Sequence, residues 1–365
     1  MLQRARQMGT DVIYLWDFWE GENKTGMPPY WNKGDYVPRS DLGGPAAFRR
    51  GVDAVHREGG RVIVYVEGLI VYKNSELGLA HGRDMALQDE HGAYYTDYRN
   101  YWSMCPADEA WQRRLAEICV GLVRDMDVDG IFLDSYGAQW NHICANARHS
   151  HRPETDVWNQ GMTEILSCVR AAVREVKPDA IIMTESTSDL LLPVEDGSCD
   201  GSLVWHGPLN GHRLLGSPLK YAFPEANIFS NGYTLAQLNQ VFALGGNLAV
   251  GPRWEEHADY IRTLVALKRE RKDALIYGQM LPSPRTTSPD VVAAAFRGER
   301  NAVVTVVNTG VAEIGAEVQL PAELAFLSWR SPLTGARVQV DAKSPVRTLS
   351  VTLRPGELQV WLGEG

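Results

Sequence analysis

Between residues 11 and 275, short apolar runs alternate with segments whose apolar residues recur every third or fourth position. The runs are Asp11–Trp16 (DVIYLW), Arg61–Glu67 (RVIVYVE), Asp129–Asp134 (DGIFLD), Ala180–Glu185 (AIIMTE), Gly201–Trp205 (GSLVW), Ala226–Ser230 (ANIFS) and Asn247–Val250 (NLAV). Such runs are nearly continuous in apolar residues, the mark of strands covered on both faces rather than on one. Between them, residues 108–126 set Trp111, Leu115, Ile118, Leu122 and Met126 on one helical face, with Pro106 or Asp108 as the start signal. Residues 158–175 repeat the pattern with Met162, Ile165, Leu166, Val169 and Val173, and residues 46–57 and 257–271 carry it less cleanly. Strand and helix in alternation predict a parallel sheet wrapped by helices, an α/β fold of TIM type.

A closed barrel of that type has eight strands, and seven runs are visible. The chain opens on RARQMG, which reads as the end of a helix feeding Asp11–Trp16. The expectation is therefore an N-terminally incomplete (β/α) barrel over residues 1–282, its visible strands being the second to the eighth. An incomplete or seven-stranded barrel is the alternative. After Pro282-Ser283-Pro284 the pattern changes to short β runs separated by turns, among them VVAAAF, AVVTVVN and ELQVWL. Residues 283–365 are expected to form a small antiparallel β-sandwich that packs on the barrel.

The formal net charge of −9, with no basic stripe to offset it, argues against a nucleic-acid partner. No stretch approaches the ~20 apolar residues of a membrane span, so no membrane partner is expected. Five cysteines at irregular spacing suit reduced thiols and a cytoplasmic setting better than a disulfide framework. His142, Cys144, His149 and His151 crowd one segment, but their spacing fits no familiar zinc pattern. That segment reads as a solvated loop facing the substrate, and neither metal nor cofactor is expected.

In a parallel barrel the chemistry gathers where strands end. Asp17 follows the first run, and Glu67, Asp134 and Glu185 end the next three. Trp205 and His206 end the fifth, Asn231 follows the sixth, and Arg253 lies beyond the seventh. Carboxylates at consecutive strand ends repel one another and lose solvation, a cost that a purely structural site would avoid. Asp134 and Glu185 are the candidate catalytic pair. Neighbouring parallel strands lie ~4.8 Å apart, close enough for the ~5–5.5 Å carboxyl separation of a retaining glycosidase. One carboxylate must stay ionised while the other holds a proton, and a drier surround for Glu185 would separate them. Trp16, Trp19, Tyr136 and Trp205 are candidate platforms for sugar faces, while Asp17, Glu67, His206, Asn231 and Arg253 could bond sugar hydroxyls.

DGIFLDS followed one unit later by MTES resembles the fourth-strand Asp and fifth-strand Glu of retaining α-glycosidase barrels. The α-amylase clan, dextranases and endo-α-N-acetylgalactosaminidases share that arrangement. Residues 102–112 and 59–68 also resemble bacterial hydrolase-like barrels, and the similarity spans residues 8–280. The resemblance implies a nucleophile at Asp134, an acid/base at Glu185 and a carbohydrate substrate joined by α-linkages. Two features depart from the amylase pattern. Phe132 stands where those enzymes carry an arginine, and Ser230-Asn231-Gly232 replaces their histidine–aspartate pair. Starch is therefore not the expected substrate. A barrel that binds glycans without cleaving them, within a longer protein, is the alternative function.

Overall fold

The structure is a computed structural model that describes residues 1–21, 28–96, 98–136, 142–152, 157–186, 188–199, 216–230, 232, 234–324, 326, 328–340, 344 and 346–364. The chain divides into two compact units, Met1–Ala5 with Asp11–Ser198 and Arg6–Thr10 with Cys199–Gly365. No helix among the described residues is long and apolar enough to cross a membrane.

The strands of the first unit are β1 (Val12–Leu15), β2 (Arg61–Glu67), β3 (Ile70–Tyr72), β4 (Tyr101–Ser103), β5 (Gly130–Asp134), β6 (Ile181–Thr184) and β7 (Gly197–Cys199). Five of them pair in parallel in the order β1-β2-β5-β6-β7. β3 and β4 form a separate antiparallel pair. The expected strand Gly201–Trp205 lies outside the described residues. The sequence did not mark β7, because Gly197-Ser198-Cys199 offers no apolar run to read.

Alternation along the strands gives the parallel sheet two unlike faces. Val64, Val66, Ile131, Leu133 and Ile182 form an aliphatic set, all fully buried. The intervening positions carry Tyr65, Glu67, Phe132, Asp134 and Met183. Helix Glu109–Met126 starts where expected, with the Asp108 carboxylate accepting from the Trp111 N–H at 2.9 Å. It buries Trp111, Leu115, Cys119 and Leu122, while helix Asn159–Val176 buries Met162, Ile165, Leu166, Val169 and Val173. Each such aliphatic side chain contributes about 1.5–3 kcal/mol by leaving water, which fixes the helices and so the strand ends.

The second unit opens with a parallel pair, β8 (Ile228–Ser230) and β9 (Asn247–Leu248). Helix Leu235–Ala243, between them, begins with a capping box of Thr234 and Gln237. The antiparallel strands are β10 (Gln279–Met280), β11 (Arg285–Thr286), β12 (Val291–Arg297), β13 (Ala302–Asn308), β14 (Ile314–Gln319), β15 (Ser328–Arg330), β16 (Arg337–Gln339), β17 (Thr348–Leu353) and β18 (Leu358–Glu364). They form sheets in the orders β10-β12-β13-β18-β15-β16 and β11-β14-β17. Val304, Val306 and Trp361 of one sheet share a core with Val318, Leu349 and Val351 of the other, the packing of a β-sandwich. Val303, Val307 and Val360 on the opposite face pack with Phe242, Leu264 and Leu275 of the helical part of this unit. β13 is thus covered on both sides, which is why its run VVTVV does not alternate.

Candidate active site

Three carboxylates stand at one level on adjacent strands. Glu67 of β2 pairs in register with Asp134 of β5, and Leu133 pairs with Thr184, one residue short of Glu185. Shared parity sends the three side chains to the same face. Ser135, held at φ 68° just past the strand, donates its N–H to Glu185 Oε2 at 3.0 Å. That bond ties the two strand ends together and fixes the Glu185 carboxyl.

The groups around Asp134 were not legible as a site in the sequence. Lys33, 4% exposed, donates to Glu67 Oε2 at 2.8 Å and to the Tyr65 hydroxyl at 2.5 Å, and lies 3.7 Å from Asp134 Oδ2. Tyr65 in turn donates its hydroxyl to Asp134 Oδ2. Burial, then Glu67 and Asp134, hold the Tyr65 phenol far above its ordinary range, so it acts only as a protonated donor. Burial alone would favour a neutral Lys33, but Glu67 and then Asp134 outweigh it and keep the ammonium charged. The result is a relay of donors, Lys33 to Tyr65 to Asp134. Tyr65 could have been found by its step of two from Glu67, whereas Lys33 lies in a loop with no such signal.

That loop is pinned by its own hydrogen bonds. The Trp19 indole N–H donates to the Asn32 carbonyl at 2.9 Å, and the Asn32 amide donates to the Glu20 carbonyl at 2.8 Å. The Tyr72 N–H donates to the Lys33 carbonyl at 2.8 Å. Gly34 follows at φ 140°, where a Cβ would lie 2.8 Å from Ser75 Oγ, so only glycine lets the chain turn there. Glu67 is oriented in the same way, its N–H donating to Tyr36 Oη at 2.6 Å and its Oε1 accepting from the Leu69 N–H at 3.1 Å.

Burial is the largest influence on Asp134, followed by Glu67 and Glu185, and together they push its carboxyl up to about 7 against the pull of Lys33 and Tyr65. Glu185 is also raised, by burial and then by Glu67, with the Ser135 N–H and Lys33 opposing. The drier surround expected at Glu185 belongs instead to Asp134. Asp134 lies against Tyr65 and Lys33. Asp17 is raised by burial, with Arg39 and Lys33 pulling it down, and its backbone adopts φ 53°.

The aromatic candidates separate by exposure. Trp16 is 50% exposed and stacks on Tyr30 at 5.9 Å and 9°. Trp19 is buried, stacked on Tyr65 at 5.4 Å. Tyr136 is also fully buried, so the expectation of a sugar platform there is corrected. Its ring packs on Gly68, where a Cβ would lie 1.8 Å from Tyr136 Cε2, and its hydroxyl donates to the Gly68 carbonyl at 3.4 Å. Gly68→Ala is accordingly expected to lower the unfolding free energy by about 1–3 kcal/mol, checked by urea unfolding. Trp205, His206 and Asn231 lie outside the described residues. Arg253 belongs to the second unit, its guanidinium 5.9 Å from the Trp254 ring centroid.

A second cluster corrects the reading of the His/Cys segment. Cys105, which the sequence left out, meets Cys144, His149 and His151, with one ligand atom from each lying within 4.8 Å of all the others. His142 stands apart, its ring stacked on Tyr95 at 3.9 Å. Backbone bonds make the meeting possible: the Cys105 N–H donates to the Met85 carbonyl at 3.0 Å, and the Ala145 N–H to the Gln88 carbonyl at 2.8 Å. The segment therefore folds onto the region around β4 instead of standing in solvent.

Residues 1–202, which carry the three carboxylates and the Cys/His cluster, match the profile of a family described as Domain of unknown function (DUF6259). The chain belongs to that family. It is also 19% identical over 297 residues to a Bacteroides thetaiotaomicron protein named "Putative glycoside hydrolase", covering 75% of this chain. The match spans only 42% of that relative's length. Among solved structures, a Geobacillus thermoleovorans α-amylase complexed with acarbose superposes with a TM-score of 0.70 at 14% identity, covering 100% of this chain and 90% of its own. A noncanonic maltogenic α-amylase of Thermotoga neapolitana gives 0.68 at 15% identity, covering 99% and 92%. A Nostoc punctiforme debranching enzyme gives 0.68 at 13%, covering 100% and 87%. The fold is that of the α-amylases.

Proposed function

We propose that the chain hydrolyses α-glycosidic bonds of an oligo- or polysaccharide with retention of configuration, using Asp134 as nucleophile and Glu185 as acid/base. The observation that carries this reading is the row of Glu67, Asp134 and Glu185 at successive strand ends, with Tyr65 and Lys33 aimed at the middle carboxylate. The shared fold with α-amylases and the name of the Bacteroides relative support the substrate class. Residues 1–282 would form the catalytic barrel and residues 283–365 its sandwich appendage.

In the first step Asp134 Oδ attacks the anomeric carbon while Glu185 gives its proton to the departing glycosidic oxygen. The bond to the leaving sugar breaks as the glycosyl–Asp134 ester forms. In the second step Glu185 takes a proton from water, whose oxygen displaces Asp134 and regenerates both carboxyls. Tyr65 and Lys33 favour the ionised form of Asp134, against its burial and the neighbouring carboxylates, and orient it for attack, so that the shared proton can stand on Glu185. Trp16 offers its exposed ring to a sugar face. Glu67 fixes Lys33, while Asp17 is positioned to bond a hydroxyl.

With Asp134 and Glu185 coupled, one proton is shared between them over a pH window, and that form is the working one. It is lost as pH rises through about 7, where the pair gives up its last proton. On the acid side it gains a second proton near the raised Glu185 value. A bell-shaped kcat/KM profile with its basic limb near 7 is expected.

The test is hydrolysis of a panel of aryl α-glycosides and oligosaccharides, with product anomers followed by NMR. Glu185→Gln should lose about 10²–10⁴-fold on poor leaving groups and little on activated ones, whose profile should also lose its basic limb. Equal loss across leaving groups would remove Glu185 from the acid role. Oligosaccharide binding without turnover by the wild-type chain would favour the non-catalytic alternative.

A further inference from the structure

We propose that Cys105, Cys144, His149 and His151 form a structural zinc site, separate from the catalytic carboxylates. Both cysteines are fully buried and His149 is 9% exposed. Cys105 Sγ lies 3.2 Å from His151 Nε2, Cys144 Sγ lies 3.2 Å from His149 Nδ1, and the two ring nitrogens are 3.2 Å from each other. Zinc bonds sulfur at about 2.3 Å and imidazole nitrogen at about 2.0–2.1 Å, so a tetrahedron separates its donors by about 3.3–3.8 Å. Those three pairs need to open by only a few tenths of an ångström to sit at tetrahedral separations, and all four ligand atoms already lie within 4.8 Å of one another.

The outward-facing nitrogens decide the tautomers. His149 Nε2 lies 2.9 Å from the Asp84 carbonyl, and His151 Nδ1 lies 2.8 Å from the Arg152 carbonyl. A carbonyl only accepts, so each of those nitrogens carries the proton; the Asn146 amide nitrogen, 3.2 Å from His149 Nε2, directs its own two hydrogens to the Ala86 and Asp84 carbonyls. The inward nitrogens, His149 Nδ1 and His151 Nε2, then present lone pairs to one another and to the two sulfurs. A cation at the centre satisfies all four donors at once. The carbonyls play the part that outer hydrogen bonds play in metal sites, fixing each ring's orientation and raising its basicity. Two thiolates and two imidazoles select zinc over harder divalent ions.

Four protein ligands in a buried cluster leave no open coordination position for substrate or water, which makes the role structural. The ion would fasten the segment 142–152, which follows β5 and Asp134, to the turn after β4. Two thiol protons donated to the imidazoles would satisfy the same groups in a metal-free chain, and a Cys105–Cys144 disulfide would be a third state.

The full-length chain, purified under reducing conditions and dialysed against excess zinc and then buffer, is expected to retain about one zinc per molecule by elemental analysis. Cobalt(II) exchanged into it should show the visible bands of a tetrahedral dithiolate site. Cys144→Ser and His149→Ala should each retain about tenfold less metal or worse. Strong chelator should lower the wild-type Tm and leave that of the variants unmoved. A wild-type chain that ends metal-free, a Cys105–Cys144 disulfide in protein prepared anaerobically, or full zinc retention by Cys144→Ser would each overturn the proposal. The cobalt spectrum and the chelator shift are read on wild-type protein, so the test holds even if the variants fail to fold.

Discussion

Asp134→Asn is expected to reduce kcat/KM by about 10⁴-fold or more while making the protein more stable at pH 8. The loss follows from the proposed chemistry, since an amide cannot form the glycosyl ester. The gain in stability follows from linkage. In the folded chain the Asp134 carboxyl is raised from 3.8 to about 7 by burial and by two neighbouring carboxylates. A group raised in this way contributes stability that is complete below its unfolded value, near 3.8, and is lost as pH rises through about 7. Above that pH the fold carries a buried anion among other anions, and the amide removes it. The variant should therefore exceed wild type by on the order of 2–4 kcal/mol at pH 8 and match it near pH 4. Denaturant unfolding at the two pH values checks this. A variant that is less stable at both would make Asp134 a structural residue, and retained turnover would end its role as nucleophile.

Lys33→Met carries the second large effect, with the opposite sign. Lys33 and Glu67 are 4% and 1% exposed and bonded at 2.8 Å, so removing the ammonium leaves a buried carboxylate without its cation. Breaking such a pair costs about 3–5 kcal/mol. Lys33→Met/Glu67→Leu should recover most of the stability, because both ions are then gone. Lys33 also pulls the Asp134 carboxyl down, so the single variant should move the basic limb of the activity profile upward. A Lys33→Met chain as stable as wild type at pH 8 would show that the pair does not hold the site together. Tyr65→Phe offers a milder comparison: the same upward shift of the limb, with Lys33 still bonded to Glu67.

The two compensations explain why a costly arrangement persists. Glu67, Asp134 and Glu185 repel one another, and Lys33 with the Tyr65 hydroxyl offsets only part of that. The remainder appears as the raised Asp134 carboxyl. In the proposed mechanism this same strain keeps one proton available to the pair near neutral pH.

The parts legible along the chain are those fixed by local pattern. An apolar run ending in a carboxylate marks a covered strand delivering an acid to its end, and Glu67, Asp134 and Glu185 all obey it. The helix at Glu109–Met126 announced itself by its apolar face and the Asp108 cap. The α/β pattern and the antiparallel C-terminal strands follow from the change of period near residue 283. These features depend on neighbours in sequence, whose spacing a periodic pattern records directly.

Only the tertiary structure decided what lies beside those strand ends. Lys33 and Cys105 sit in connecting segments, and nothing in their sequence surroundings indicates that they lie against Glu67 and Cys144. Tyr136 and Trp19 look like sugar platforms in a string of letters, yet both are buried, because burial is set by what packs from elsewhere. Which member of the carboxylate pair is drier depends on the same packing. Desolvation and charge act over a few ångströms in space, whatever the separation along the chain.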